Sequence, residues 1–412
     1  MFLQQCVSCG KQFPQDQFLY TCPDCGDLKG TIDIIYDLTA IKNSLTISSL
    51  KATAENSILR YAPLLPVDIN HSIFRLKIGM TPLFEAPDLA KKQGIAGLYI
   101  KDDSYNPSLS LKDRATVISI QKAKELGYRI VATASTGNAA ASLACLGAHF
   151  GMPVIIFVPE SIPPAKLVQL QIYGASIILI KANYDRAFDI CREVCTSKGW
   201  FNRSTGINPF NLEGKKTVAF EICEQMNFDL PDLVFIPVGD GCIISGIWKG
   251  FKDFYQLGLI DRLPRLIACQ AAGSPAVYNA FTDHKTEPET VNAKTIADSI
   301  SVDLPRDGVK ALRALKESDG DAVLISDQEI LATQQELAAS QGIFCEPSAA
   351  AAYAGMHKYR KLNKLNSDDR VLILLTGSGM KDLAAAEKGI KKKVQITVDP
   401  KKDDIYQKLK AL

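Results

Sequence analysis

The segment NPSLSLKDRAT, residues 106–116, carries one lysine whose position suits covalent chemistry. Lys112 follows a Pro/Ser turn and stands at the predicted start of a helix, where the positive end of the helix dipole disfavours a charged amine. The same field lowers the pKa of a lysine and favours the neutral amine, which is the nucleophile that captures a carbonyl group. Because most single lysines are solvated surface residues, this interpretation requires a carbonyl-bearing cofactor in the site.

A second segment, TASTGNAAAS at residues 133–142, follows a predicted strand and opens a predicted helix. It offers hydroxyl groups, an amide and backbone N–H groups in succession, from Ser135, Thr136, Gly137 and Asn138. Such a set at a helix start binds anions. The alternative is an ordinary helix N-cap, but a cap needs one such residue rather than four in a row. The segment therefore favours a ligand-binding turn.

The segment PVGDGCIISG, residues 237–246, predicts a phosphate-binding turn. Gly239 and Gly241 let the backbone approach a phosphate closely, and the helix predicted from Cys242 points its positive end there. The G-x-G-x-x-G spacing of dinucleotide-binding proteins is not kept, and the next predicted strand ends in Gln270 rather than in an acidic residue. A single phosphate group therefore fits this turn better than NAD.

A fourth segment, LLTGSGMKD at residues 374–382, places Thr376 at the end of a predicted strand. Its hydroxyl group is suited to hydrogen-bond an unprotonated ring nitrogen, whereas the alternative is a glycine-rich turn without a ligand. An imine-forming lysine, a turn for one phosphate, a polar loop and a threonine for a ring nitrogen together describe a site for pyridoxal phosphate.

The first thirty residues carry a different kind of site. Two C-x2-C pairs, CVSC and CPDC, are separated by twelve residues and contribute Cys6, Cys9, Cys22 and Cys25. This spacing is close to that of a zinc ribbon, and four cysteines make a closed structural site rather than a catalytic one. A pair of disulfides and a redox C-x-x-C motif are the alternatives. A reducing compartment disfavours the first, and a redox motif has no need of a second copy.

Composition excludes several classes of function. The chain has 412 residues, of which 47% are apolar and 22% are charged, with a net charge of +2. No basic block indicates nucleic acid or an anionic membrane as a partner. The apolar runs are shorter than a bilayer span, and the first residues lack the pattern of a signal peptide. Together with eleven cysteines, this predicts a cytoplasmic protein with reduced thiols.

Beyond residue 97 the pattern alternates between short apolar runs and longer segments of helical period. Strands are predicted at 98–101, 129–134, 154–158, 175–180, 233–238, 265–270, 322–326 and 371–376. Helices are predicted at 113–126, 138–150, 184–197, 242–256 and 327–341. Continuous apolar strands that alternate with helices indicate parallel sheets covered on both faces. The strands are too many for one compact sheet, so the pattern predicts an α/β protein of two lobes.

At this point the motifs resemble a known family. NPSLSLKDR, ASTGNAAAS, PVGDG and TGSGMKD, in this order, are similar to those of fold-type II pyridoxal-phosphate enzymes, and of the threonine synthases in particular. The four-cysteine segment, LEGKKTVAFEI and FCEPSAAAA extend the resemblance over nearly the whole chain. It implies the two-lobed architecture of the tryptophan synthase β subunit, with a zinc-ribbon-like segment at the N-terminus.

The resemblance also implies a division of the chain and a partner. We expect the zinc-ribbon-like segment at 1–30, a large cofactor-binding lobe from 31–125 with 210–395, a small lobe at 126–209 and a C-terminal extension at 396–412. A homodimer is expected from the family.

Roles for the cofactor-binding residues follow from the resemblance. Lys112 holds pyridoxal phosphate covalently and then moves protons at the α and β carbons of the substrate. Asn138 hydrogen-bonds the 3′-oxygen of the cofactor, and Thr376 contacts its ring nitrogen. The cofactor phosphate is held by the turn of Gly239, Asp240, Gly241 and Cys242.

The expected substrate is a small phosphorylated amino acid, O-phosphohomoserine, which gives threonine and phosphate. Ser135, Thr136 and Gly137 hold its carboxylate. The family has an arginine before the Leu-Glu-Gly sequence that binds the substrate phosphate, where this chain has Asn211. Arg203, Lys215 and Lys216 lie nearby in sequence and could substitute for it. Smaller departures are Leu111 for phenylalanine and Asp240 for asparagine.

The departure at Asn211 leaves two other hypotheses open. One keeps the fold and the cofactor but changes the substrate, as in a cysteate-synthase-like enzyme acting on O-phosphoserine or an amino-acid lyase. The other is a zinc-ribbon interaction protein on a scaffold that has lost its catalytic function.

Overall fold

The computed structural model describes residues 2–68 and 76–390, together with Thr397. The C-terminal extension predicted at 396–412 otherwise lies outside the described residues. Within the described ranges, no helix combines the length and the apolar character needed to cross a lipid bilayer.

Thirteen strands and sixteen α-helices make up the described part of the chain. The strands are β1 Phe2–Cys6, β2 Gln12–Phe13, β3 Ile32–Tyr36, β4 Leu83–Glu85, β5 Gly97–Asp102, β6 Val131–Ala134, β7 Val154–Pro159, β8 Ser176–Ile180, β9 Phe201–Asn202, β10 Leu233–Pro237, β11 Arg265–Ala271, β12 Asp321–Ile325 and β13 Arg370–Leu375. The helices are α1 Gly26–Lys29, α2 Leu38–Ile41, α3 Ile47–Ala52, α4 Pro87–Gln93, α5 Lys112–Glu125, α6 Asn138–Phe150, α7 Pro164–Ile172, α8 Tyr184–Lys198, α9 Phe210–Lys215, α10 Thr217–Gln225, α11 Cys242–Gln256, α12 Ala276–Thr282, α13 Gly308–Glu317, α14 Asp327–Gln341, α15 Pro347–Lys361 and α16 Leu383–Gly389. Short 3-10 helices cover Ile58–Leu64, Asp103–Tyr105, Asp298–Ile300 and Gly379–Lys381.

The larger sheet has six strands in the order β12-β11-β10-β13-β5-β4. Its first five strands run parallel, and only the edge strand β4 is antiparallel. Side chains of β10 alternate between two cores: Val234 and Ile236 face one, and Leu233 and Phe235 face the other. Helices therefore cover both faces, as the continuous apolar strands predict.

A second parallel sheet has four strands in the order β8-β7-β6-β9, all from residues 131–202. Helix α6 packs against β6 and β7 on one side, and α8 packs against the same two strands on the other. The carboxyl ends of parallel strands share one edge of a sheet, so the turns after β6, β10 and β13 are the natural ligand-binding positions.

The N-terminal segment forms a small antiparallel sheet in the order β2-β1-β3. It is fastened to the larger lobe by lysine side chains, since Lys310 Nζ donates to the carbonyl oxygen of Ile32 at 2.8 Å. Tyr36, at the end of β3, donates from its hydroxyl group to Glu213 Oε2 at 2.7 Å. The cysteine-bearing segment is therefore joined directly to the helix α9 region.

The strands and helices predicted beyond residue 97 are confirmed, with boundaries within two residues for each. The α/β arrangement in two parallel sheets is confirmed as well. The sequence analysis did not predict the N-terminal strands, the edge strands β4 and β9, or helices α9 and α10, whose segments are short or carry charged residues within the apolar pattern.

Candidate active site

A cavity of about 520 Å³ lies where the carboxyl ends of strands from both parallel sheets meet. It is lined by most of the predicted cofactor and substrate residues, namely Lys112, Ser135, Thr136, Gly137, Asn138, Gly239, Asp240, Gly241, Cys242 and Thr376. Residues from four separate segments of the sequence therefore converge on one space. Arg203 and Asn211 are not among the lining residues.

Lys112 is the first residue of α5, and its neighbours fix that end of the helix. The Asp113 carboxylate accepts a hydrogen bond from the Ser108 backbone N–H at 2.6 Å, which closes the Pro/Ser turn. The backbone N–H of Leu111 donates to the carbonyl oxygen of Thr376 at 2.9 Å, which ties the helix start to the end of β13. Both residues that flank Lys112 therefore hold it at the cavity wall.

Arg114 fixes the first turn of the same helix through buried ion pairs. Its guanidinium pairs with Asp103 at 2.7 Å and with Glu221 at 2.5 Å, and all three side chains are fully buried. Lys101 also pairs with Glu221 at 2.7 Å. The cations hold the pKa of Glu221 at about 2, well below its ordinary value, so this network is ionised and rigid.

Burial lowers the pKa of Lys112 to about 8, with the positive charge of Lys215 as the next cause. The predicted lowering of the Lys112 pKa is therefore correct. Its leading causes are burial and the charge of Lys215, whereas the sequence argument invoked the helix dipole. A lysine with this pKa is a substantially better nucleophile at neutral pH than a solvated one.

The turn after β6 leads into α6 at Asn138, with Gly137 at the cap position and no side chain capping the helix. Asn138 donates from Nδ2 to both carboxylate oxygens of Glu346, at 3.0 and 2.9 Å. Burial raises the pKa of Glu346. The sequence motif FCEPSAAAA pointed to this region without giving Glu346 a role, and the carboxylate now stands beside the residue expected to contact the cofactor.

The turn after β10 needs its glycines. A Cβ atom at Gly239 would lie 2.8 Å from the Cα atom of Ile300, and one at Gly241 would lie 2.8 Å from the carbonyl oxygen of Asp307. Gly241 also has a φ of +91°, in the region that favours glycine. It precedes α11, whose N-terminus has no side-chain cap. The turn thus keeps its backbone N–H groups at the cavity, as a phosphate site requires.

Asp240 stands in this turn where its charge opposes phosphate binding. The Arg306 backbone N–H donates to Asp240 Oδ1 at 3.3 Å, and burial raises the pKa of the carboxyl group. The hydrogen bond to Arg306 therefore engages one of the two Asp240 carboxylate oxygens within the protein.

Three more polar residues near the cavity differ in their hydrogen-bond partners and in whether they line the cavity. Arg203 is fully buried, donating to Thr116 and Thr205 hydroxyls at 3.2 Å and approaching the Lys112 carbonyl oxygen at 3.5 Å. Asn211 points away: its amide binds Ser119 at 2.9 Å and the Arg203 carbonyl oxygen at 3.0 Å. Lys215, which the sequence offered only as a possible substitute for the missing arginine, lines the cavity.

These residues fit a pyridoxal phosphate group. Lys112 is buried with a lowered pKa, and the Gly239–Cys242 turn leaves a space beside its backbone that a Cβ atom at either glycine could not share. Thr376 lines the cavity at the end of β13. An amine for the aldehyde, a backbone turn for the phosphate and a hydroxyl group for the ring are therefore present around one space.

The four N-terminal cysteines form a separate cluster. The sulfur atoms of Cys6, Cys9, Cys22 and Cys25 all lie within 4.8 Å of one another. The Sγ atoms of Cys9 and Cys22 are 3.9 Å apart, close to the roughly 3.8 Å that tetrahedral coordination with zinc–sulfur bonds of about 2.3 Å gives. The cluster therefore fits a metal with thiolate ligands.

Comparison with known proteins agrees with the cavity. Residues 74–377 match the family described as pyridoxal-phosphate dependent enzyme. The threonine synthase of Methanocaldococcus jannaschii is 39% identical over 401 residues, which cover 96% of this chain and 97% of that protein. The threonine synthase of Methanosarcina acetivorans is 38% identical over 385 residues and is covered over 93% of its length.

Solved structures agree on the fold. An L-serine ammonia-lyase from the fungus Rhizomucor miehei superposes with a TM-score of 0.67 at 22% identity, covering 77% of this chain and 99% of that one. At this identity the likeness concerns the fold alone, and it confirms the predicted architecture. The chain belongs to the pyridoxal-phosphate dependent enzymes and, within them, to the threonine synthases.

Proposed function

We propose that the protein converts O-phospho-L-homoserine and water to L-threonine and inorganic phosphate. It would thus be a pyridoxal-phosphate-dependent lyase that cleaves a carbon–oxygen bond of a phosphate ester. One observation carries this proposal: a lysine with a lowered pKa, a glycine phosphate turn and a polar anion-binding loop line one cavity, in a chain 39% identical to a protein named threonine synthase.

The chain's own residues hold the cofactor and position it. Lys112 is the attachment point and the base that moves protons at the α and β carbons of the substrate. The backbone N–H groups of the Gly239–Cys242 turn bind the cofactor phosphate, and Thr376 donates its hydroxyl group to the ring nitrogen. When bound, pyridoxal phosphate supplies an electron sink for the bond-breaking steps.

The substrate carboxylate is assigned to the turn after β6. Ser135, Thr136 and Gly137 line the cavity at the N-terminus of α6, where backbone N–H groups and the helix dipole favour an anion. Asn138, whose Nδ2 donates to Glu346, is assigned to the 3′-oxygen of the cofactor. Arg203 is buried and does not line the cavity, so it is assigned to support the substrate phosphate through its positive charge. Asn211 is reassigned from substrate contact to positioning, because its amide holds the Arg203 backbone.

Zinc at the four-cysteine cluster is proposed as a structural ion, and metal analysis of the purified protein tests it. We also propose that residues 31–125 with 210–395 form the cofactor-binding lobe, 126–209 the small lobe and 1–30 the metal-binding segment. In support, the four-stranded sheet takes its strands only from 131–202. A homodimer and a cytoplasmic location complete the proposal, to be checked by light scattering and by cell fractionation.

The experiment that tests the function offers O-phosphohomoserine to purified protein reconstituted with pyridoxal phosphate. Release of phosphate with an equal amount of threonine is the expected result. O-phosphoserine, with and without sulfite, is offered in parallel, because a cysteate-synthase-like enzyme or a lyase would use that substrate. Turnover of O-phosphoserine without threonine formation would show that the proposed substrate is wrong, whereas the proposed cofactor site would still stand.

A further inference from the structure

Lys215 is a fully buried lysine without a partner. Its side chain is inaccessible to solvent, and its Nζ atom makes no hydrogen bond within the described part of the chain. It stands at the end of α9 and lines the active-site cavity. A buried amine that is neither paired nor hydrogen-bonded costs free energy, so its presence calls for a ligand.

Other buried lysines of this protein are paired. Lys101 binds Glu221 at 2.7 Å, and Lys310 lies 3.5 Å from Asp307. Lys216, the next residue along the chain, binds Glu213 at 2.7 Å and Asp253 at 2.8 Å. The fold therefore supplies carboxylates to lysines that it buries for structural reasons, and Lys215 differs from them in facing the cavity.

Arg203 repeats the pattern. Its guanidinium is fully buried, donates to neutral oxygen atoms, and forms no ion pair with a carboxylate among the residues that the structure describes. Burial lowers the pKa of both Arg203 and Lys215, and each lowers that of Lys112. The carboxylates that act on Lys215 are Asp307, which pairs with Lys310, and Asp240, which is turned to Arg306. Two buried cations thus lie near the reactive lysine with no anion of their own.

The proposed complex contains three anionic groups, and two of them already have an assigned binding site. The cofactor phosphate has the Gly239–Cys242 turn at the start of α11, and the substrate carboxylate has the start of α6. The third anion is the phosphate of the substrate, whose departure as a dianion needs cations close by. The two cations without a carboxylate partner, Lys215 and Arg203, are therefore suited to the one anionic group that has no assigned site, the substrate phosphate.

We propose that Lys215 binds the phosphate group of the amino-acid substrate, with the nearby charge of Arg203 in support, and so determines the preference for a phosphorylated substrate. The inference rests on the proposed function. Asn211 contributes indirectly, because its Nδ2 donates to the carbonyl oxygens of Arg203 and Ser204 at 3.0 and 3.2 Å and holds the loop that presents Arg203.

The test uses the holoenzyme, in which the cofactor already fills its own phosphate site, and inorganic phosphate as the probe. Lys215→Met removes the charge at nearly constant volume, Lys215→Arg keeps it, and Lys92→Gln removes a lysine charge from an exposed ion pair with Glu336 as the matched control. Phosphate affinity is measured by calorimetry, steady-state kinetics are measured with the phosphorylated substrate, and cofactor affinity is measured by the visible absorption.

We expect Lys215→Met to weaken inorganic phosphate binding and kcat/KM by about 10-fold to 100-fold, the range for losing a charged hydrogen bond. Cofactor affinity should be unchanged, and Lys215→Arg should recover part of the loss. The melting temperature of the ligand-free protein should rise, because an unpaired buried charge has been replaced by an apolar side chain. Lys92→Gln should match the wild type in every measurement.

Two results would overturn the assignment. Unchanged phosphate affinity in Lys215→Met would remove Lys215 from the anion site. Weaker cofactor binding with unchanged KM would show that Lys215 binds the cofactor phosphate instead of the substrate phosphate. Failure of the proposed function is recognised separately, since it appears in the wild-type holoenzyme as absence of threonine formation, whereas phosphate binding by calorimetry needs no amino-acid substrate.

Discussion

The hydroxyl group of Tyr20 accepts a hydrogen bond from the backbone N–H of Asn202 at 2.8 Å. Tyr20 stands two residues before Cys22 of the cysteine cluster, and Asn202 immediately precedes Arg203. The aromatic ring of Phe18 stacks on that of Phe201 at 5.6 Å and supports the contact. The cysteine segment is thus linked by one side chain to β9, the strand that immediately precedes the buried Arg203.

Removal of the proposed structural zinc should therefore affect catalysis as well as folding. We expect a strong thiol-compatible chelator to release about one zinc per chain, to lower the melting temperature and to raise KM for the phosphorylated substrate. The reason is that loss of the ion loosens the segment that fixes the Asn202–Arg203 backbone. Metal content, melting temperature and KM are measured on the same samples, before and after zinc is restored.

Tyr20→Phe separates the link from the metal. It keeps the ring but leaves the buried Asn202 N–H without its acceptor, which costs about 1–3 kcal/mol. Zinc content should be normal while KM rises. A variant with normal KM would show that the cysteine segment stabilises the fold without acting on Arg203.

Lys112→Ala should abolish turnover, because the proposed function attaches the cofactor to this lysine and moves protons at the substrate carbons through it. The visible absorption should shift, as the covalent link is lost while the phosphate turn still binds the cofactor. Activity is measured by threonine formation, and the variant's melting temperature should stay near that of the wild type. Turnover within tenfold of the wild type would exclude the assigned role.

Covalent attachment of the cofactor should depend on pH in a defined direction. Since the pKa of Lys112 is about 8, the neutral amine increases as the pH rises to that value, and the attachment rate should rise about tenfold from pH 6 to 7 and level off above 8. The rate is followed by absorption after pyridoxal phosphate is mixed with cofactor-free protein. In Lys215→Met the midpoint should move upward, because a neighbouring positive charge has been removed. An unmoved midpoint would mean that the charge of Lys215 does not contribute to the pKa of Lys112.

The buried network beneath α5 should control stability. Glu221→Gln leaves Arg114 and Lys101 without their shared carboxylate, and breaking such a buried pair costs about 3–5 kcal/mol. Because the folded-state pKa of Glu221 is about 2 against an ordinary 4.5, its contribution is present above pH 4.5 and is lost as the pH falls towards 2. Urea unfolding at pH 7 and pH 3 measures both effects. An equal loss at both pH values would contradict the ion-pair account.

Two ion pairs cross the mouth of the cavity between the small sheet's helices and the 298–306 loop. Lys166 pairs with Asp298 at 2.6 Å, and Arg306 pairs with Asp185 at 3.5 Å. Such exposed pairs are worth about 0–1 kcal/mol. Asp298→Asn should therefore raise KM by no more than about fivefold, with an effect that fades in high salt. A loss of kcat at constant KM would instead place Asp298 in the chemistry.

The sequence is informative where one local pattern determines a feature. Apolar runs gave the central strands, and the strand-end segments gave Lys112, the Gly239 turn and Thr376, because each carries its own signal within a few residues. The cysteine spacing likewise predicted a cluster that the structure brings together.

Features that depend on long-range packing were not predictable. Lys215 and Lys216 are adjacent and chemically identical, and only the fold decides that the second meets Glu213 and Asp253 while the first faces the cavity. Glu346 reaches Asn138 across 208 residues of sequence. The lowered pKa of Lys112 was predicted from its own helix, whereas the leading causes are burial and a charge from another element.

Gly214 lies against the backbone of α5 so closely that a Cβ atom there would stand 1.9 Å from the carbonyl oxygen of Arg114. Helices α5 and α9, which carry Lys112 and Lys215, can therefore pack this closely because residue 214 has no side chain. A side chain at position 214 would push these two helices apart and so move the two lysines relative to each other.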